Sequence, residues 1–388
     1  MPVGDAFCEP IALTSAYTFA SAQDAWEKFS GARPGNVYSR FTNPTVRTFE
    51  LRAAALEHAE DAVAFASGMG AITAVCIASL HAGANVVCAR DVFGSTLNLF
   101  RSYLTRFGTE VKLVDVTSLG EWAAAIDART RVVLFESPSN PLMQVGDIAE
   151  ICQLAHAYGA LVVVDNTMLT PIFQKPHALG ADYVVHSAGK YMDGQGRCVA
   201  GVVTCSTLRA AELRAVLRTL GISLSPMNAW LLLKGLETLE IRMIRIAETC
   251  GQLASWLSSH PLVDGVYYTG LPSHPRHDLA NRQQAGHGGL LSFLVHGDRQ
   301  TAWSFVDRLQ LIARATNIGD TRSMITHPAT TTHCKLTAED RLRVGIADNL
   351  VRLSVGLESV SDLTTDVEQA LAGEVETRKS FTMELDPV

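Results

Sequence analysis

RVVLFESPSNPLMQVGDIAEICQLAHAYGALVVVD, residues 131–165, reads as a strand, a loop, a helix and a second strand. Its two ends, Arg131–Glu136 and Leu161–Asp165, are short, apolar and rich in β-branched residues. Between them, Asp147–Tyr158 carries apolar residues at helical spacing. Strands that are apolar throughout, rather than alternating, are expected to be covered on both faces. The same alternation continues outward in both directions. Asn85–Ala89 (NVVCA), Glu110–Asp115 (EVKLVD), Asp182–His186 (DYVVH) and Gly201–Cys205 (GVVTC) read as further strands, and Ala71–Leu80, Ser95–Phe107 and Leu119–Asp127 as helices. The pattern predicts an α/β fold with a mostly parallel sheet. Ligands of such sheets bind beyond the carboxyl ends of the strands, so polar residues that directly follow a strand are the candidates for chemistry.

A long helical pattern runs from Pro226 towards His260, where Pro261 stops it. Beyond it, Gly289–Val295 and Val351–Val355 read as strands and Thr301–Leu311 and Asp362–Ala372 as helices. The expected division is an N-terminal arm (1–44), a large domain with its linking helix (45–260) and a smaller α+β domain (261–388).

With 388 residues, 47% hydrophobic and 18% charged, the chain has ample material for such a core. A net charge of −7 and scattered Lys and Arg give no basic footprint, so neither nucleic acid nor an anionic membrane is expected as a partner. The start, MPVGDAFCEPIAL, has no basic and apolar leader, and no apolar run is long enough to span a bilayer. The eight cysteines form no C-x-x-C pair, and most sit in apolar stretches. Free thiols in a reducing cytoplasm are expected, with no metal site.

DYVVHSAGKYMDGQGR (Asp182–Arg197) places Lys190 just past an apolar strand among small residues, with room for a ligand. Most lysines only reach for solvent. A partly desolvated lysine has a lowered pKa and can form a Schiff base. Asp165 also ends a strand, where it is either a structural carboxylate or the partner of a protonated ring nitrogen. Ser67-Gly68-Met69-Gly70 leads into a helix whose free amides suit a phosphate, although an ordinary cap has the same sequence. Tyr38 and Arg40 could add a hydroxyl and a guanidinium to that phosphate. Arg352, inside VRLSVG, is justified by a ligand carboxylate or by a buried ion pair.

Six stretches, in order, resemble the Cys/Met-metabolism family of pyridoxal 5'-phosphate (PLP) enzymes. They are Tyr38–Thr45 (YSRFTNPT), Ser67–Ala71 (SGMGA), Glu136–Pro141 (ESPSNP), Asp165–Thr167 (DNT), His186–Tyr191 (HSAGKY) and Arg352–Glu358 (RLSVGLE). The resemblance implies the PLP-dependent type I fold, like that of aspartate aminotransferase. It implies a Schiff base on Lys190, Asp165 at the ring nitrogen, and Ser67, Gly68, Met69 and Ser187 around the phosphate. Phe93 would stack on the ring and Asn140 would lie near its hydroxyl. Arg352 and Asn317 would bind a small amino-acid substrate. Tyr38 and Arg40 would reach the phosphate of a neighbouring subunit, making a homodimer the minimal active unit and a homotetramer the expected assembly.

Phe93–Thr96 (FGST), Asp193–Arg197 (DGQGR), Pro226–Trp230 (PMNAW) and Asn317–Asp320 (NIGD) look like the branch that replaces the acyl group of O-succinylhomoserine with sulfide. Condensation with cysteine and γ-elimination are the alternatives within the family. Methionine-degrading members usually carry cysteine where this chain has Ser95. A non-catalytic binding protein on the same fold is the alternative outside it, against which Lys190, Asp165 and Arg352 all count. Two departures stand out. Gly189 replaces a threonine common before the lysine, so a phosphate hydroxyl is expected to be missing. A threonine there would then improve PLP retention, unless backbone geometry requires glycine. Phe93 replaces a tyrosine and cannot exchange protons.

Overall fold

The computed structural model describes residues 7–335, 337, 339, 341 and 344–373. The outermost parts of the expected arm and small domain, 1–6 and 374–388, lie outside these residues. The strands are β1 (Asp61–Phe65), β2 (Asn85–Ala89), β3 (Glu110–Val114), β4 (Thr130–Glu136), β5 (Leu161–Asp165), β6 (Tyr183–His186) and β7 (Gly201–Cys205). They form one sheet in the order β1-β7-β6-β5-β4-β2-β3. Only β7 runs against the others. The fold is therefore α/β with a mostly parallel sheet, as the apolar runs require. β2, β5 and β7 match the sequence reading residue for residue. β1 (DAVAF) escaped it, because its two alanines and acidic start carry little strand signal.

The sheet is covered on both faces. Val86, Val87, Val133, Val162, Val163 and Val184 are fully buried. Complete burial of such a side chain contributes about 1.5–3 kcal/mol. One covering helix, Gly68–Ser79, starts at an N-cap, Ser67, whose hydroxyl accepts the Gly70 amide at 3.0 Å.

A second sheet follows, built from β8 (Val263–Tyr267), β9 (Leu290–Val295), β10 (Ala313–Arg314), β11 (Met324–Thr326) and β12 (Leu350–Ser354), in the order β10-β11-β12-β9-β8. Its own core includes Phe293, Phe305, Leu353 and Leu363. The central strands reach back to the first sheet. Ser292 of β9 donates to the Pro141 carbonyl at 2.7 Å, and Arg352 of β12 donates to Asn140 Oδ1 at 3.2 Å.

The single helix expected from Pro226 to His260 is instead two, Pro226–Leu236 and Leu239–Ser258. Gly235 and Arg242 explain the break. A Cβ on Gly235 would stand 2.2 Å from the Met192 carbonyl oxygen, so the first helix ends hard against the loop after Lys190. The buried Arg242 guanidinium donates to the carbonyls of Gly235 (2.8 Å) and Tyr191 (2.7 Å), joining the helix end to that loop. Burial pulls this guanidinium down to about 10. The helix read at Ser95–Phe107 also changes form. Gly94–Asn98 is α-helical, Leu99–Tyr103 a π-helical turn and Leu104–Phe107 a 3-10 turn. Among the described residues no helix is long and apolar enough to cross a membrane.

Of the eight cysteines, Cys76, Cys88, Cys152, Cys205 and Cys250 are buried, Cys198 is half-buried, and Cys8 and Cys334 are exposed.

Gly189 has a packing reason to be glycine. A Cβ there would lie 2.3 Å from the Cys198 carbonyl oxygen and 3.2 Å from Val199 Cα, both backbone atoms. This corrects the expectation that threonine would improve cofactor retention. Any side chain forces the Lys190 turn away from the segment leading into β7. Gly189→Ala is expected to lower the unfolding free energy by about 1–3 kcal/mol, the usual cost of overpacking. Denaturant titration beside the wild type checks this, and an unchanged midpoint would mean that the turn yields freely.

Candidate active site

The carboxyl ends of the parallel strands bring the site together. β1 delivers Ser67, and Gly201 of β7 lets it approach, since a Cβ on Gly201 would meet the Ser67 carbonyl oxygen at 2.2 Å. Ser67 Oγ is engaged by Gly70, which leaves the Gly68 and Met69 amides at the start of a helix without intrahelical partners. A Cβ on Gly68 would stand 3.0 Å from Ser187 Cβ and 3.3 Å from Ser187 Oγ. Two amides and a hydroxyl thus border one small space at a helix N-terminus, a donor set suited to a phosphate. The Ser187 amide donates to Thr167 Oγ1 at 2.8 Å, and the Thr167 amide to Asp165 Oδ1 at 3.0 Å. The ends of β5 and β6 are tied in this way.

Lys190 opens into a cavity of about 770 Å³, also lined by Phe93, Asn140 and Asn317. Burial first, and the Arg352 guanidinium second, pull the Lys190 amine below the ordinary lysine range. A lysine so shifted is more readily neutral, the form that reacts with a carbonyl.

Arg352 stands behind Asn140 and Asn317, only 2% exposed. It donates to Asn140 Oδ1 (3.2 Å) and to the carbonyls of Thr316 (2.7 Å) and Asn317 (3.2 Å). Its Nε has no partner, and among the described residues no carboxylate pairs with it. Burial lowers the guanidinium to about 10. The alternative of a structural ion pair therefore fails. A buried cation without a counter-charge is costly, and a ligand carboxylate would relieve it.

Two residues of this site were not among the sequence candidates. Glu136 sits opposite Asp165 in the β4–β5 register, and its Oε1 accepts the Phe93 amide at 2.7 Å. Burial first and the Asp165 carboxylate second raise its carboxyl above the usual range. The signal was present, since Glu136 ends an apolar strand just as Asp165 does. Thr167 stands out in the sequence only as part of DNT, and its hydroxyl contact with the Ser187 amide depends on a strand pairing that sequence alone does not give.

Tyr38 and Arg40 are not brought to this cavity within one chain. Tyr38 is 41% exposed. Arg40 donates to the Arg218 carbonyl and lies over the Phe41 ring, 4.7 Å from its centroid.

These groups fit PLP. A lysine with a lowered pKa, a carboxylate at the end of β5, three places along the sheet from β1, and a guanidinium with no carboxylate partner among the described residues match an aldehyde, a pyridine nitrogen and a substrate carboxylate in turn.

The model of the Cys/Met metabolism PLP-dependent enzyme family matches residues 2–372. The chain is 52% identical over 364 residues to an O-succinylhomoserine sulfhydrylase of Pseudomonas aeruginosa, covering 94% of this chain and 90% of the relative. It is 42% identical to an L-methionine gamma-lyase of Pseudomonas deceptionensis, covering 94% and 92%. Among solved structures, a cystathionine gamma synthase from Xanthomonas oryzae pv. oryzae, in complex with aminoacrylate and cysteine, superposes with a TM-score of 0.90 at 36% identity, covering 94% and 92%. A Campylobacter jejuni chain that carries N'-pyridoxyl-lysine-5'-monophosphate superposes with a TM-score of 0.91 at 34% identity, covering 94% and 95%. With its fold, its lysine-lined cavity and these similarities, the chain belongs to the Cys/Met metabolism family of PLP-dependent enzymes.

Proposed function

We propose that this enzyme replaces the succinyl group of O-succinylhomoserine with sulfide, giving homocysteine and succinate for methionine biosynthesis. The similarity to an O-succinylhomoserine sulfhydrylase at 52% identity carries this choice of reaction. The unpaired Arg352 guanidinium supports an amino-acid substrate, since it supplies what an α-carboxylate needs. Elimination of a γ-substituent without replacement is the second reading, favoured by the similarity to an L-methionine gamma-lyase.

In the proposed mechanism Arg352 and Asn317 hold the α-carboxylate end of the substrate, and Asp165 holds the ring nitrogen of the cofactor. Ser67, Gly68, Met69 and Ser187 would anchor the phosphate, Asn140 would lie at the ring hydroxyl and Phe93 would cover the ring. Bound PLP serves as an electron sink for the charge left at the α-carbon. The Lys190 amine would take the proton from the α-carbon, pass it to the cofactor carbon beside the imine nitrogen and, neutral again, take one from the β-carbon. The γ-carbon–oxygen bond breaks and succinate leaves. The sulfur of sulfide bonds to the γ-carbon, and Lys190 returns the protons. Phe93 has no hydroxyl, so it leaves this proton traffic to Lys190.

Residues 1–44 would serve as an arm to the neighbouring subunit, 45–260 as the cofactor-binding large domain and 261–388 as the small domain. Tyr38 and Arg40 reach the neighbour's phosphate in a homodimer, two of which form a tetramer in the cytoplasm. Tyr38 is exposed and neither residue lines the Lys190 cavity, which supports this.

Incubation with O-succinyl-, O-acetyl- and O-phosphohomoserine, each with sulfide, with cysteine and with neither, tests the reaction. Homocysteine and succinate, identified by mass, are expected to be the fastest products. A 2-oxo acid and ammonia formed at the same rate with and without sulfide would instead establish elimination. In the same panel Arg352→Ala should raise KM by about ten-fold to a hundred-fold, the loss of a charge-assisted pair of about 1.5–3 kcal/mol. An unchanged KM would remove Arg352 from substrate binding.

Mixing Arg40→Ala with Lys190→Ala subunits, each inactive alone, tests the shared site. A mixed dimer has one site with both lesions and one with neither, so activity should return. No recovery despite proven subunit exchange would mean that each site is built from one chain.

A further inference from the structure

Glu57 is a buried carboxylate that the proposed mechanism does not use. It ends the helix Pro44–Glu57 and is fully buried. One of its oxygens, Oε1, lies 2.6 Å from His186 Nε2 and accepts from Asn166 Nδ2 at 3.0 Å. His186 is the last residue of β6, immediately before Ser187. Asn166 directly follows Asp165, the last residue of β5. One carboxylate oxygen therefore bridges the ends of the two strands that carry Asp165 and Lys190.

The hydrogen bonds continue to a third strand. Asn166 and Gln174 pair reciprocally, with Asn166 Nδ2 donating to the Gln174 carbonyl and Gln174 Nε2 to Asn166 Oδ1, both at 3.0 Å. Gln174 Nε2 also donates to the Ser137 carbonyl at 2.6 Å, and Ser137 directly follows Glu136 at the end of β4. Glu57, His186, Asn166, Gln174 and Ser137 are each at most 1% exposed.

Such a chain of buried polar groups is expensive, the more so because Glu57 Oε2, His186 Nδ1 and Gln174 Oε1 have no partner, and the bonds that are made fix the geometry of the groups they join. Main-chain pairing of the strands stops where the chain turns into the site. Beyond that point the belt adds lateral ties to the one made by the Ser187 amide and the Thr167 hydroxyl.

From this geometry we infer that Glu57 is a positioning residue for the cofactor site. Through His186 and Asn166 it sets the spacing between Asp165 and the Ser187–Lys190 turn, and Gln174 extends that tie to the end of β4. The inference rests on the reading that Asp165 and Lys190 hold PLP, but not on which acylhomoserine is used.

The test compares full-length holoenzymes: wild type, Glu57→Ala, Glu57→Gln and Asp366→Ala. Asp366 is an equally structural control. It is 6% exposed and accepts the amides of Gln310, Leu311 and Ile312 at 2.8–2.9 Å, away from the cavity wall. Two readouts are taken, release of PLP during dialysis against hydroxylamine, and kcat and KM. Misplacement of a reacting group by about 1 Å costs on the order of a hundred-fold, so Glu57→Ala should lose about that in kcat with KM changed by less than about three-fold. It should also release PLP about ten-fold faster or more, the effect of losing roughly 1.4 kcal/mol of cofactor binding. Glu57→Gln keeps an acceptor oxygen in place and should recover most of both losses. Asp366→Ala should lose stability but keep wild-type release and kcat.

Wild-type release and kcat in Glu57→Ala overturn the inference, as do equal losses in Asp366→Ala. If Glu57→Ala does not fold, Gln174→Ala cuts the tie to β4 and one of the two bonds to Asn166 but leaves the Glu57 bonds intact, and should shift both readouts the same way by less. No shift there overturns the inference equally. A wild type that carries no PLP overturns the underlying site reading as well.

Discussion

Lateral pairing of β4, β5 and β6 in parallel is the constraint from which the rest of the site follows. In-register pairing sets Glu136 beside Asp165 and Asp165 beside Val185, so the chain leaves all three strands on the same side of the sheet. The Lys190 turn is then pinned from two directions. Gly189 lies against the Cys198 carbonyl, and Arg242 grips the carbonyls after the lysine. A lysine amine held this firmly and desolvated is a nucleophile in a fixed place, which is what a reusable covalent attachment requires.

Arg352 backs the opposite wall from the second sheet, behind Asn140 and Asn317. Its position in β12 is expensive in isolation, because burial strips water from a cation and no carboxylate among the described residues replaces it. The fold offsets part of this with carbonyl and amide oxygens from Thr316, Asn317 and Asn140. The residual demand for an anion is the most direct physical sign that the cavity takes an acidic small molecule. It also lowers the Lys190 pKa, so the same charge that would hold a substrate sharpens the nucleophile.

The parts of the molecule legible in the sequence were those set by local pattern. Continuous apolar runs fixed β2, β5 and β7, and the rule about strand ends led to Asp165 and Lys190. The same rule points to Glu136 at the end of β4. What stayed hidden depends on contacts distant in the chain. The break between Leu236 and Leu239 comes from packing against the Met192 carbonyl, which no helical periodicity reports. The missing hydroxyl at position 189 suggested a lost phosphate contact, whereas the backbone of Cys198 leaves no room for a side chain. The Glu57 belt joins residues more than a hundred positions apart, and each looks ordinary alone.

Trapping the attached cofactor tests the central claim most directly. The purified enzyme is reduced with borohydride and digested, and the modified peptide is sequenced by mass spectrometry. The account predicts one pyridoxyl-phosphate group per chain, on Lys190. Lys335 also lines the cavity. A label on Lys335, or on any lysine other than Lys190, would contradict the account.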